Sequence, residues 1–163
     1  MTTSRRVGMV LALGIGALWT LPHAASAQGG DAGPRVVPID SVLAAYRLPE
    51  GIASKSTVIG QMSQQSVSVL QTRTGVRAHY HAQSDEVVYV LSGRGVLRIL
   101  PEGANISARD LAAVSPQRVK PGMLIFIPRG AAHSIDVLGD DPLVVMSVFS
   151  PVFHGEDRLA VHD

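Results

Sequence analysis

An all-β chain folded as an antiparallel sandwich or barrel is what this sequence predicts, and three observations carry the prediction. From residue 56 onward the chain breaks into short runs rich in β-branched and aromatic residues: STVIGQMSQQSVSVLQT, EVVYVLSG, GVLRIL, MLIFIP, HSIDVLG and PLVVMSVFS. Gly, Pro, Asp or Ser bounds each run, and these are the residues that turn a chain. The runs follow one another at short, regular intervals, which is the spacing of a sandwich or barrel rather than of alternating helices and strands.

The elements can be taken in chain order. Residues 1–27 begin with Arg5 and Arg6, continue as an apolar run from Val7 to Leu21, and end on Ala25-Ser26-Ala27. Those three features predict a signal peptide cleaved near Ala27/Gln28, leaving a periplasmic or secreted protein. The apolar run has 15 residues and is followed by Pro22, where a membrane-spanning helix needs about 20, so no stable membrane anchor is expected. Ser4-Arg5-Arg6 also begins a twin-arginine signal, but Gly8 and Met9 stand where bulky apolar residues usually follow.

Residues 28–55 are read as an arm followed by a short helix, SVLAAYRL, with Asp40 as its N-cap and with Pro49 and Gly51 closing it. Residues 56–150 hold the strands. Ser92-Gly93-Arg94-Gly95 and Gly139-Asp140-Asp141-Pro142 supply hairpin turns. ISARDLAAVSPQRV, with Ser107 as N-cap, predicts one or two helical turns before Pro116. Residues 151–163 are read as a C-terminal tail. Met62, Met123 and Met146 fall in the strand runs and are expected in the core.

Composition narrows the function. The chain has 163 residues and no cysteine, which excludes a disulfide scaffold, a thiolate metal site and a cysteine nucleophile. Cleavage removes two of the 14 Lys and Arg and none of the 13 Asp and Glu, so the formal charge changes from +1 to −1. No basic run remains, and nucleic acid is not an expected partner.

Chemistry concentrates in HYHAQSDE, residues 79–86. In a strand, His79 and His81 share a face and lie about 7 Å apart along the backbone, within reach of one ion. Glu86 has the opposite parity, but Ala-Gln-Ser-Asp between them is turn-forming and resets it. Glu86, Val88 and Val90 then face the same interior as the histidines. A histidine pair with a carboxylate is also an ordinary polar patch at a strand end, so both readings stand on these residues alone. Farther on, Gly122, Pro128-Arg129-Gly130 and His133 bracket a buried-looking strand and a tight turn that delivers His133 toward the barrel mouth. Arg77 shares the parity of His79 and is a candidate for binding an anionic substrate, although a surface arginine at a strand start is the simpler reading. His154 and His162 lie in the polar tail and are expected to be exposed.

GVRAHYHAQSDEVVYVLSG, residues 75–93, resembles the first cupin motif through His79, His81, Glu86 and Gly93, and GMLIFIPRGAAH, residues 122–133, resembles the second through His133. The resemblance spans roughly residues 56–150. It departs from the usual pattern at Gly75, which is two residues nearer the histidines, and at Val137, where an asparagine is usual. It implies a double-stranded β-helix, or jelly-roll barrel, with the short N-terminal helix before it and the helical insert between the motifs. It also implies a metal site of His79, His81, Glu86 and His133 holding one divalent transition ion, with iron or manganese favoured and nickel, copper or zinc compatible with the donors. The catalytic chemistry would sit at that ion, with places left for substrate or oxygen. A dioxygenase-like oxidoreductase acting on a small organic molecule is the leading implication. The others are a non-catalytic small-ligand or metal-binding protein and a metal-dependent isomerase or decarboxylase. Homodimers are common in the family, with the segment before residue 60 as the expected contact.

Overall fold

The computed structural model describes residues 34–101 and 104–163. The expected signal peptide, its cleavage site and the start of the arm lie outside these residues. Among those described, no helix is long and apolar enough to cross a membrane.

The predicted short helix is α1, Ile39–Ala45, and it starts two residues earlier than expected. Its N-cap is Pro38, which makes no side-chain cap, while Asp40 sits in the first turn, where its charge meets the positive end of the helix dipole. Ten strands follow: β1 Ser54–Gln61, β2 Ser66–Thr72, β3 Val76–His81, β4 Asp85–Ser92, β5 Gly95–Ile99, β6 Gln117–Val119, β7 Leu124–Ile127, β8 His133–Val137, β9 Leu143–Ser150 and β10 Arg158–Ala160. A second helix, α2, Ala108–Ala113, occupies the insert. Ser107 caps it as expected: its hydroxyl oxygen accepts from the backbone N–H of Asp110 at 3.0 Å.

The strands form two antiparallel five-stranded sheets, β1-β2-β9-β4-β7 and β10-β3-β8-β5-β6. Neighbours in each sheet are mostly distant in sequence, as in a jelly roll, where the chain passes repeatedly from one sheet to the other. The main core lies between the sheets and includes Val88, Val90, Leu97, Ile127, Leu143 and Val145. Strand β4 alternates from Glu86 to Val90 as the turn before it requires, with Glu86, Val88 and Val90 buried.

Two smaller clusters lie on the outer faces. Val42 of α1 packs on Val69 and Val144 over the first sheet, so β2 is buried on both sides. Gln71 ties the helix down: its Nε2 donates to the Tyr46 carbonyl at 2.7 Å and its Oε1 accepts from the Leu48 N–H at 3.1 Å. Leu111 of α2 packs on Leu100 and Ala132 over the second sheet. Each fully buried leucine or valine of this kind contributes about 1.5–3 kcal/mol of transfer free energy.

Two further features depart from the sequence-based expectation. Met62 and Met123 are 53% and 37% exposed, because one follows the edge strand β1 and the other precedes the edge strand β7. Residues 151–163 are more than a tail: Gly155–Asp157 form a 3-10 turn, and β10 then pairs with β3, placing Arg158 opposite His81 and Ala160 opposite His79.

Candidate metal centre

Strand β3 carries His79 and His81, and β8 carries His133 directly across the ladder from His79. All three point between the sheets and are buried, at 6%, 4% and 6% exposure. Their ligand atoms lie within 4.8 Å of one another, so the three histidines can hold one metal ion. Glu86 comes from the opposite sheet. Its Oε2 is 3.6 Å from His81 Nε2 and 3.5 Å from His133 Nε2. Donors bound to one ion at about 2.1 Å stand roughly 3–3.5 Å apart, so these separations suit a shared ion.

The ring orientations are set by backbone acceptors. His79 Nδ1 lies 2.9 Å from the Arg77 carbonyl and His133 Nδ1 2.9 Å from the Ala131 carbonyl. A carbonyl oxygen only accepts, so each Nδ1 carries the proton and each Nε2 keeps its lone pair for the cavity. His81 is held differently. Its Nδ1 faces Asp157 Oδ2 at 3.5 Å, and neither buried atom has a closer hydrogen-bond partner. Asp157 is itself fixed, since its Oδ1 accepts from the Gln83 N–H and its backbone carbonyl from the Ala82 N–H.

Burial, and then the neighbouring His133, lower the His79 imidazole to about 3, so the ring stays neutral and ready to donate its lone pair far into acid. For Glu86, burial is the largest influence and opposes ionisation. The imidazoles of His133 and His81 outweigh it and hold the carboxyl well below the usual carboxylate range.

The two ligand-bearing turns are clipped together. Gly130 N–H donates to the His81 carbonyl at 2.7 Å. Arg129 grips Asp85 with Nη2 to Oδ2 at 2.7 Å and Nε to Oδ1 at 3.1 Å, while its backbone N–H also donates to Oδ1. Two glycines set the strand approaches. Gly75 has φ +89° and a Cβ there would strike the Ile135 carbonyl oxygen; Gly93 has φ +77° and one there would strike the Pro142 carbonyl oxygen.

The four side chains close one end of a 190 Å³ cavity whose other walls include Val88, Ile127, Leu143, Val145 and Phe149. Phe149 and Phe153 stack at 4.7 Å and present their rings to His81. Arg77 does not line this cavity. The β3–β8 register shifts between Val76 and His79, a bulge that breaks the simple alternation, so Val76 faces the cavity and Arg77 is exposed on the outer side. His154 and His162 are exposed.

Three residues near the site carried no local sequence signal. Ser147 of β9 lies beside Glu86 and helps to hold it ionised. Asp157 supports His81. Arg158 lines the cavity rim, where burial and then Arg77 lower its guanidinium while Glu86 raises it. An acidic-basic pair in a polar C-terminal segment reads as solvated surface until β10 is seen to pair with β3.

Two facing antiparallel sheets closed on a buried three-histidine cluster define a β-barrel protein with a site able to hold a metal ion. A family model described as Cupin matches residues 58–160, and the chain belongs to that family. It is 32% identical over 89 residues to an uncharacterised protein of Aquifex aeolicus, a match covering 55% of this chain and 62% of that one. The chain thus spans less than two thirds of the length of that relative. Among solved structures it is similar to a Bacillus halodurans protein, with a TM-score of 0.60, 22% identity, and coverage of 81% of this chain and 93% of the other. It is also similar to a Streptomyces nucleoside dehydratase, with a TM-score of 0.50, 20% identity, and coverage of 67% and 78%. At these identities the structural likenesses establish the fold.

Proposed function

We propose that this protein is an exported, metal-dependent oxidoreductase of the dioxygenase type that acts on a small organic molecule. The observation that carries the reading is the convergence of His79, His81, His133 and Glu86 at one end of an apolar cavity. Three imidazoles and one carboxylate, without a thiolate, are donors suited to iron or manganese and compatible with nickel, copper or zinc. Such an ion would supply Lewis-acid and redox chemistry when bound. The chain's own residues do the rest. The Nδ1 contacts of the three histidines aim Nε2 inward, Glu86 offsets the charge of the ion, and the apolar walls with Phe149 and Phe153 keep bulk water away from the reacting molecule. No other acid or base lies among the inner wall residues apart from Arg158 at the rim, which favours chemistry at the ion over proton shuttling by side chains. The Streptomyces neighbour is a nucleoside dehydratase, so a similar barrel can house catalysis.

Export and self-association belong to the same reading. Mass analysis of the protein from its own compartment should give a chain beginning at Gln28; a chain retaining residues 1–27 would overturn export. Strand β1 is an edge with Val58 46% exposed, and a second copy of this chain would cover it in a homodimer, which light scattering would detect.

The central test is reconstitution with Fe(II) or Mn(II), followed by elemental analysis and oxygen uptake with a panel of small phenols, diols and organic acids. One bound ion per chain with oxygen uptake that stops on chelation is the expected result. A stoichiometric ion with no uptake on any compound points to the non-catalytic binding role, and no bound ion in the parent protein overturns the metal site itself.

A further inference from the structure

We propose that Arg158, with Arg77 beside it, forms an oxyanion-binding position at the rim of the histidine cavity, and that the protein's small substrate carries a carboxylate or phosphate group docked there. The substrate's placement rests on the metal-cavity reading above; the anion position rests on geometry of its own.

The outer side of the second sheet, under α2, holds a groove of 780 Å³ whose walls include Arg77, Arg98, Arg158, Thr74, Ser134 and Asp136. Leu70, Val76 and Arg158 belong to the walls of both this groove and the histidine cavity. Two of those three are apolar, so Arg158 is the charged group common to both spaces. Three guanidiniums face one carboxylate there. Asp136 pairs with Arg98 Nη1 at 3.2 Å, while among the described residues neither Arg77 nor Arg158 has a carboxylate within ion-pair distance. Arg98 Nε is buried in the same wall without an acceptor.

Like charges gathered in a concave surface with too few counter-charges raise the local concentration of anions. The guanidinium fork matches the two oxygens of a carboxylate or phosphate. Arg158 also stands on β10 directly opposite His81, about 4.8 Å from the ligand-bearing strand. An oxyanion held at that point leaves the carbon adjoining it at the cavity entrance, and the ion pair fixes which end of the molecule enters. The 190 Å³ inner cavity with its apolar walls then accepts only a small, weakly polar portion of the substrate.

Inorganic phosphate and benzoate, titrated separately into the metal-free full chain by calorimetry at low ionic strength, provide the test and separate the two oxyanion types. Saturable binding of at least one is expected, weakened about tenfold or more in R158Q, less in R158K, and also reduced in R77Q, which removes an exposed group that β10 does not depend on. R94Q, whose side chain lies outside both spaces, should bind as the parent does. Absence of saturable binding, or equal weakening in R94Q, overturns the proposal. In the Mn(II)-loaded protein, the ³¹P relaxation of phosphate, or the ¹H relaxation of benzoate, should be enhanced in the parent and not in R158Q. Binding without enhancement would separate the anion from the cavity and overturn the substrate role. If the parent takes up no Mn(II), the metal reading fails, while Arg158-dependent binding in the metal-free titration still supports the anion position.

Discussion

Segments 79–86 and 157–158 meet at the same histidine, and they are built to opposite specifications. The first supplies His79, His81 and Glu86, each less than a tenth exposed and each aimed between the sheets. The second supplies one buried carboxylate that stands behind a ligand and holds the Gln83 N–H, and one guanidinium that stays at the rim. Groups that must give lone pairs to an ion gain from a dry, apolar surrounding, where electrostatic attraction is strong. A group that must meet a charged molecule from solution has to remain partly wet, because full desolvation of an unpaired cation is costly. Burial therefore sorts donors from their supports, and substitutions on the two sides of that division should differ in effect.

The largest effect should come from the donors. H79A or H133A leaves two imidazoles and a carboxylate, and metal affinity measured against a competing chelator should fall by more than roughly 100-fold, beyond the range set by supporting residues. Retained affinity in both variants would mean that these rings hold no ion. D157N comes next. It keeps the shape of the carboxylate and removes its charge behind His81 Nδ1, so affinity should fall roughly 10- to 100-fold with the fold intact by circular dichroism. A D157N protein that binds metal as the parent does would confine Asp157 to bracing the turn through Gln83 and Ala82.

Acid should weaken the metal-free protein through the same donors. His79 titrates near 6.5 when unfolded and near 3 when folded, so between those values the unfolded chain holds the extra proton and stability declines as pH falls. Glu86 is likewise depressed, and its contribution, present above the ordinary carboxylate range, is lost as pH drops through it. Thermal melts in chelator should decline below about pH 6.5, with His79 accounting for at most about 1.4 kcal/mol per pH unit, and the decline should be shallower in H79Q. A flat profile down to pH 4.5 would contradict the neutral, buried state of the ring. The smallest effect belongs to the exposed clip. R129Q should lower the melting temperature only slightly and leave metal stoichiometry at the parent value, because water screens the Arg129–Asp85 pair. A loss of metal in R129Q would show that the two ligand-bearing turns need the clip to converge.

The donors were legible because each signal is local. H-x-H on one strand, a turn that resets parity and a carboxylate opening the next strand lie within eight residues, and the Pro-Arg-Gly turn announces His133 in the same way. Ser107 was legible as a cap for the same reason, since its partner is three residues away. At α1, Asp40 had the chemistry of a cap, but Pro38 with its extended ψ took that position, because helix ends shift by a residue or two without a strong side-chain contact. Simple alternation along β3 would aim Arg77 inward with His79, and one bulge turns it outward. Met62 and Met123 matched the content of buried strands, yet their places at sheet edges expose them.

What the sequence determined by itself is the set of short strands and turns, the cupin resemblance and the identity of the four candidate ligands, because period, turn chemistry and spacing act within a few residues. The tertiary structure alone decided that Glu86 crosses from one sheet to meet histidines on the other, that Asp157 backs His81, and that Arg158 joins an outer groove to the inner cavity. Asp157 meets Gln83 across 74 residues of chain. A contact of that reach leaves no periodic trace, since it exists only after β10 finds the free edge of β3.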